Sequence, residues 1–451
     1  MSIEAPDQRA PRLKLLRDAL ESGTLRRVQR MVNALHPAEI ADLLESLPPA
    51  ERDVVWDLVD TQIDGDVLVA LNEEVRAKLV GGMDAEELIA ATDGMDLDDL
   101  ADLVPDLPEA VTRQVIQSMD HQDRERLRAV MAYAEDTAGG LMDPDVVTVR
   151  PDVTLEVVLR YLRIRGELPA GGDALYVVNR YGRYVGYLYL TSLLTSDPSM
   201  TVAELMDASV EGVPATIDAS EVASLFETRD LVTAPVVDSD GRLLGRITID
   251  DVVDVIREEA EHSILSMAGL AEDEDMFAPV VTSSRRRAVW LGVNLATAFI
   301  AASVVGLFQA TIDQVVALAV LMPIVASMGG IAGSQTLTLI IRGVALGQVD
   351  SSNARWLMIR ELAVGVLNGL GWAVVVAAAT ILWFKSWLLG GIIALALTIN
   401  LVIAALSGVL IPLVLRRMKI DPALAGSVVL TTVTDVVGFM VFLGLGALLL
   451  T

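Results

Sequence analysis

Five long apolar runs fill the last third of the chain and constrain its fold more than any other feature. They cover roughly residues 288–308, 315–341, 360–384, 388–415 and 423–450. Each is long enough to cross a hydrocarbon core about 30 Å thick, and each is almost free of charge inside. The part ahead of them has the opposite character. Residues 284–451 carry 10 Lys and Arg against 5 Asp and Glu, whereas residues 1–283 carry 24 against 56, a net charge of −32. A very acidic soluble part therefore precedes a membrane part. Such a surface disfavours nucleic acid, whose phosphates need clustered Lys and Arg. The 451 residues include no Cys and only three His: His36, His121 and His262. Disulfides, thiol chemistry and Cys–zinc sites are excluded, and a His-rich transition-metal site is not expected. The N-terminus shows no apolar signal-peptide core, so no cleavable signal is expected.

Basic residues orient the spans. Arg285, Arg286 and Arg287 precede the first run. Arg342, Arg355 and Arg360 flank the loop between the second and third, and Arg416, Arg417 and Lys419 lie between the fourth and fifth. The other two connections hold only Lys385. By the positive-inside rule the richer side faces the cytosol. The acidic half is then cytosolic and the C-terminus outside, in a multi-pass protein of the cytoplasmic (inner) membrane.

The soluble half contains two different repeats. Residues 24–136 read as an acidic all-α superhelical domain, with apolar residues at three- and four-residue spacing. At an offset of 60, Ala41-Asp-Leu-Leu-Glu-Ser-Leu-Pro48 matches Ala101-Asp-Leu-Val-Pro-Asp-Leu-Pro108, which suggests stacked helix pairs. Residues 137–257 turn to glycines and β-branched runs. Leu175–Gly186 aligns with Ala234–Gly245 at an offset of 59, each a strand, a Gly-containing turn and a second strand leading into a helix. This resembles a tandem pair of CBS domains, an α/β regulatory module. The second copy has Thr248 and Asp251 where CBS domains hold the phosphate and ribose of an adenosine nucleotide such as ATP. The first copy has Tyr189 and Ser192 there. The alternative reading of both turns is purely structural.

The order of these parts resembles the MgtE family of magnesium channels. The motifs that carry the likeness are Glu135-Asp-Thr-Ala-Gly-Gly-Leu-Met142, Arg360-Glu-Leu-Ala-Val-Gly-Val-Leu-Asn368, Asp421-Pro-Ala-Leu-Ala425 and Thr431-Thr-Val-Thr-Asp-Val-Val-Gly-Phe439. The resemblance implies a homodimer with a Mg2+ pore on the two-fold axis. It also implies a connecting (plug) helix at 258–284 and a pore domain of five helices at 285–451, after an N-terminal tail at 1–23. By the same resemblance, bridging Mg2+ would bind Asp98, Asp102, Asp230 and Asp251, with Asp254 and Glu259 on the helix leading to the pore. The family's acidic run continues past Glu259, but here His262 and Ser263 occupy two of those positions. The family usually has Asn where this chain has Ile331.

Physical reasoning points to the same helix. Asp435 lies deep in an apolar run, where an ionised Asp costs about 3 kcal/mol on the most lenient scale. It is expected to face water or a cation, with Thr431, Thr434 and Ser427 as hydroxyl neighbours. Two such carboxylates across a two-fold axis would favour a divalent ion, and Mg2+ prefers oxygen ligands while keeping its waters. The rival reading is a buried interhelical bond. Glu361 and Asn368, seven apart, are expected on one face of the third span, and Asn400 inside the fourth, as a polar cluster supporting the pore. Glu361 also reads as an interfacial carboxylate beside Arg360. The second span, with Pro323 and Met328-Gly-Gly-Ile-Ala-Gly-Ser-Gln335, reads as broken or loosely packed. With no phosphate-binding P-loop and no nucleophile–base constellation, neither a primary pump nor an enzyme is expected. The remaining alternatives are a channel of this build selecting Mn2+ or Co2+, and a CBS-regulated membrane receptor that conducts no ion.

Overall fold

The computed structural model describes residues 25–93, 95–166, 168–169, 171–270, 275–345, 348–349 and 352–450. The tail expected at 1–23 lies outside the described residues. The chain forms two compact units. The first is Met1–Ala260 with Asp273–Ala278, and the second is Glu261–Glu272 with Pro279–Thr451.

The first unit begins with short helices: α1 (Leu25–Val32), α2 (Pro37–Glu45), α3 (Pro49–Trp56), α4 (Asp64–Val69), α5 (Glu73–Val80), α6 (Ala85–Ala91), α7 (Leu97–Leu103), α8 (Glu109–Ser118) and α9 (His121–Val130). Local chemistry sets their ends. His36 and Glu39 form a capping box on α2, whose first residue is Pro37, and Asp84 and Glu87 do the same for α6. The 60-residue repeat is a repeat of core positions. Ala41, Leu44, Leu47 and Val55 are buried, and so are their counterparts Ala101, Val104, Leu107 and Val115.

Two three-stranded sheets follow. In the first, β1 (Thr148–Val149) pairs parallel with β2 (Ala174–Val178), which pairs antiparallel with β3 (Tyr184–Tyr189). In the second, β4 (Val213–Pro214), β5 (Thr233–Val237) and β6 (Leu243–Thr248) repeat that order and sense. Both central strands carry a register shift at the same place, Val177/Val178 and Val236/Val237. The hairpins turn on Gly182 (φ 76°) and Gly241 (φ 74°), conformations that L side chains rarely adopt. Helices α10 (Leu155–Arg165), α11 (Leu190–Thr195), α12 (Val202–Leu205) and α13 (Ala219–Arg229) accompany the strands. The two sheets are alike, but their cores are not. The first has its own small core around Leu155, Val177 and Leu188. The second shares one continuous core with helices α1–α9, in which Val222, Phe226, Val236 and Ile247 join Leu44, Leu68, Leu103 and Leu127.

Helix α14 (Ile249–Met267) starts directly after β6. The connecting helix expected at 258–284 thus begins earlier and stops at Met267. Pro279 then caps a new helix, α15 (Val280–Leu307), so Arg285–Arg287 lie inside the helix of the first span. The second unit continues with α16 (Gln309–Gln314), α17 (Val316–Ala345), α18 (Ala354–Phe384), α19 (Trp387–Arg417) and α20 (Pro422–Leu449). Apart from the short α16, these are, among the described residues, the five helices long and apolar enough to cross a membrane. Helix α19 is the centre of the bundle, packed against α17, α18 and α20. Helix α17 is not broken at Pro323 but runs unbroken through it. Its small residues serve close packing: a Cβ on Gly333 would lie 2.9 Å from a Leu430 methyl.

Candidate functional site

Helices α17 and α20 together wall an open cleft of about 910 Å³ in the membrane unit. Its lining includes Ser327, Ile331, Ser334 and Gln335 from α17, and Thr431 and Asp435 from α20. Asp435 is half-buried, and no hydrogen bond or ion pair to it occurs among the described residues. The Thr431 hydroxyl donates back to the Ser427 carbonyl at 2.9 Å, which leaves both of its lone pairs able to accept at the cleft that Thr431 lines. Ser427 itself does not line the cleft. Thr434 also departs from expectation. It has no exposed surface, and its hydroxyl donates to the Thr431 carbonyl at 3.1 Å. One residue from Asp435 is a rotation of about 100° on a helix, which turns Thr434 into the packing interface.

The expected support cluster divides. Glu361 is 4% exposed; it accepts from Thr336 Oγ1 of α17 at 3.2 Å and from Arg360 at 2.5 Å. It thus pairs with its neighbour and also reaches the helix that walls the cleft. Asn400 is fully buried, and its Nδ2 donates to the Val325 carbonyl of α17 at 2.9 Å. Asn368 is exposed and takes no part. Gly365 and Gly369 instead seat α18 against α19, and Asn368 lies outside that contact. Ile331, 58% exposed, lies on the cleft wall, so an apolar side chain stands near Asp435 where a polar one was expected from the family pattern.

The second candidate region lies in the first unit. The first turn of α7 brings Asp98 and Asp99 toward the first turn of α14, which holds Asp251. Burial, then repulsion from Asp143, Asp99 and Asp251, pushes Asp98 up to about 8. Burial and the charges of Asp96, Asp251 and Asp102 push Asp99 to about 7. Burial, with Arg76 opposing and Glu135 and Asp251 adding, pushes Asp102 to about 6. Asp251 rises to about 6, mainly by burial, although its carboxylate accepts from the Thr248 amide at 3.2 Å and hydroxyl at 2.8 Å. The Asp98 Oδ1 is buried with no hydrogen-bond partner. These groups crowd one another, yet among the described residues no three acidic or His side chains are close enough to hold one metal ion. Asp99 was missed in the sequence, although it adjoins Asp98 on the same turn. Asp230, Asp254 and Glu259 are exposed, and the ion-pair partner of Asp254 is Arg257 at 3.9 Å.

Thr248 and Asp251, the expected nucleotide pair, bond to each other and so cap α14. A small cavity lies at the first copy, lined by its Asp145, Gly172, Tyr176 and Leu190 together with Arg246 of the second. At about 20 Å³ it has room for about one water and not for a nucleoside.

Comparison with known proteins follows the same division of the chain. Residues 35–136 match the MgtE intracellular N domain, 138–198 and 202–258 the CBS domain, and 322–445 the MgtE divalent cation transporter domain. The class is that of membrane-embedded divalent cation transporters with a large intracellular part. The chain is 32% identical to the magnesium transporter MgtE of Thermus thermophilus, over 96% of this chain and 98% of that one. It is 29% identical to the magnesium transporter MgtE of Bacillus subtilis, over 94% of each. The crystal structure of the cytosolic domain of the Mg2+ channel MgtE in complex with ATP is also similar, at 35% identity and a TM-score of 0.48, covering 53% of this chain and 98% of that one. The chain belongs to the MgtE family.

Proposed function

We propose that this protein is a Mg2+ channel, taking up Mg2+ through the cleft between α17 and α20 and closing when Mg2+ binds its acidic cytosolic domains. The carrying observation is Asp435, an unpaired carboxylate on the wall of an open cleft within an apolar bundle. A mere membrane anchor has no need of such a residue, which argues against a non-conducting receptor. One carboxylate is a weak ion site. A second copy related by a two-fold axis would close the open side and present a second Asp435. A unit pair at about 4 Å and an effective dielectric of about 20 attracts by about 4 kcal/mol, and a divalent ion doubles that, so the paired site favours 2+ over 1+. Thr431, and Ser427 and Thr434 through the turn they hold, complete the hydroxyl-bearing stretch of this helix. Glu361 and Asn400 support the wall from behind.

Entry is downhill, driven by about 2.3 kcal/mol per charge per 100 mV of membrane potential. The N-terminal domains lie in the cytosol and the C-terminus outside. Asp98, Asp102 and Asp251, joined by Asp99, form the cytosolic sensor. Their mutual repulsion falls when a cation bridges them, which favours a compact, closed arrangement. Asp230, Asp254 and Glu259 would join such sites only by movement or across copies. An adenosine nucleotide such as ATP at Thr248 and Asp251 would have to open the bond between them. The homologues' Mg2+ transport supports Mg2+ as cargo, while Ile331 on the wall keeps a Mn2+- or Co2+-selective channel as the second reading.

Reconstituted flux tests this. Asp435→Asn is expected to cut Mg2+ entry at least tenfold at equal protein content. Undiminished entry would favour the receptor reading, and stronger entry of Mn2+ or Co2+ in competition would favour the second.

A further inference from the structure

Arg52 of α3 is an arginine with 1% of its surface exposed, inside a strongly acidic half-chain. Its Nε donates to the Leu44 carbonyl at 2.9 Å and its Nη2 to the Leu47 carbonyl at 3.1 Å. The Nη1–Nη2 edge of the guanidinium meets Asp275, Nη1 to Oδ2 at 2.9 Å and the second hydrogen of Nη2 to Oδ1 at 3.1 Å, across 223 residues of chain. This is the paired-fork geometry that gives Arg–carboxylate contacts their direction as well as their strength.

Asp275 is 3% exposed and gathers more than Arg52. Lys78 Nζ of α5 reaches it at 3.2 Å, the Phe277 amide donates to Oδ1 at 2.9 Å, and its own amide donates to Glu74 Oε2 at 2.9 Å. Burial alone would raise its carboxyl, but the bonds from Arg52, Phe277 and Lys78 hold it below the usual Asp range. Arg52 and Lys78 thus make a cationic notch in a domain that repels negative segments almost everywhere else, and one aspartate is seated in it. Nearby residues of the segment are not needed for this: Met276 is 88% exposed.

The position of Asp275 in the chain gives the contact its meaning. Pro279, which caps the first membrane helix α15, follows four residues later. The helical domain that bears Asp98, Asp99 and Asp102 therefore grips the segment that enters the membrane. We propose that Asp275 is a latch: seated in the Arg52–Lys78 notch, it ties the N-terminal helical domain to the entry of the first span, and closure of the pore by cytosolic Mg2+ depends on that tie. This rests on the reading of the cytosolic half as the channel's sensor. A rearrangement of the helical domain then either moves α15 or breaks the latch.

The test uses the full-length protein in liposomes and the substitution Asp275→Asn, which keeps the shape and removes the charge. Two quantities are read: amide hydrogen exchange at residues 275–278, and Mg2+ flux against internal Mg2+. The latch predicts exchange at least tenfold faster, flux at low internal Mg2+ within twofold of the unsubstituted protein, and at least fivefold more internal Mg2+ needed to halve the flux. A segment freed by that measure with unchanged inhibition would overturn the latch alone, and so would exchange that does not change at all. Flux of the unsubstituted protein that ignores internal Mg2+ would overturn the sensor reading and the latch with it. Lys78→Gln, at a partly exposed position, is the milder variant and is expected to shift both readouts in the same direction by a smaller factor.

Discussion

A single amide shows how the membrane unit is held. Asn400 sits with no exposed surface between Gly329 of α17 and Gly438 of α20; a Cβ on those glycines would lie 2.2 and 2.8 Å from its Nδ2. The two helices that wall the cleft are therefore spaced by one side chain of the helix behind them, and both contacts fall within a turn of Asp435 or Ile331. Gly329→Ala is expected to destabilise the protein by about 1–3 kcal/mol, the usual cost of overpacking, as read by thermal unfolding in detergent. Adding Asn400→Ala should recover part of that loss, and unchanged melting of the single variant would mean the cradle is loose. A polar residue inside an apolar run was visible in the sequence, which is why Asn400, Glu361 and Asp435 stood out. Their partners were not visible, because a glycine that admits a neighbour looks like any other small residue. Periodicity placed Asn368 with Glu361, but the line of contact along α18 is drawn by Gly365 and Gly369, and Thr434 was likewise taken by packing rather than by the cleft.

At the scale of elements, the first turns of α7 and α14 bring like charges together, and the consequence is a pH dependence of definite sign. Asp98, Asp99, Asp102 and Asp251 are raised in the folded protein above the ordinary Asp value of 3.8, to between about 6 and about 8. The folded state therefore binds protons more tightly than the unfolded chain. Their contribution to stability is full below pH 4 and is lost as pH rises toward 8. In the absence of divalent ions, the urea midpoint of the first unit, followed by protease resistance, should fall across that range. Mg2+ at constant ionic strength should flatten the fall; a flat curve without Mg2+ would show that the carboxylates are not crowded. The repeats at offsets of 60 and 59 made these elements readable, since copies confirm each other's boundaries. The connecting helix had no copy. Its end near Met267 and the new start at Pro279 depend on a break that resembles ordinary loop sequence, with Gly269 at φ 73° packed under Trp290. Nor did anything in the linear chain mark Asp275 as different from its acidic neighbours, because its partner is 223 residues away.

For the whole molecule, the proposed topology of five spans would put the two termini on opposite sides of the membrane, with the side set by the basic residues. The absence of Cys makes this simple to check. Leu450→Cys in intact cells should react with a membrane-impermeant maleimide added outside, whereas Ser209→Cys should react only after the membrane is opened; the reverse pattern would invert the proposed topology. One asymmetry of the first unit carries further. The two sheets are copies, yet only the second has merged its interior with the helical domain, while the first keeps a small interior of its own. Duplication usually leaves twins that are equally free to drift. Here one twin shares its interior with a much larger neighbour, while the other packs a small interior of its own. Across related proteins the earlier twin should therefore be the one that gathers insertions and altered residues, so that new signals could be read there without disturbing the older machinery.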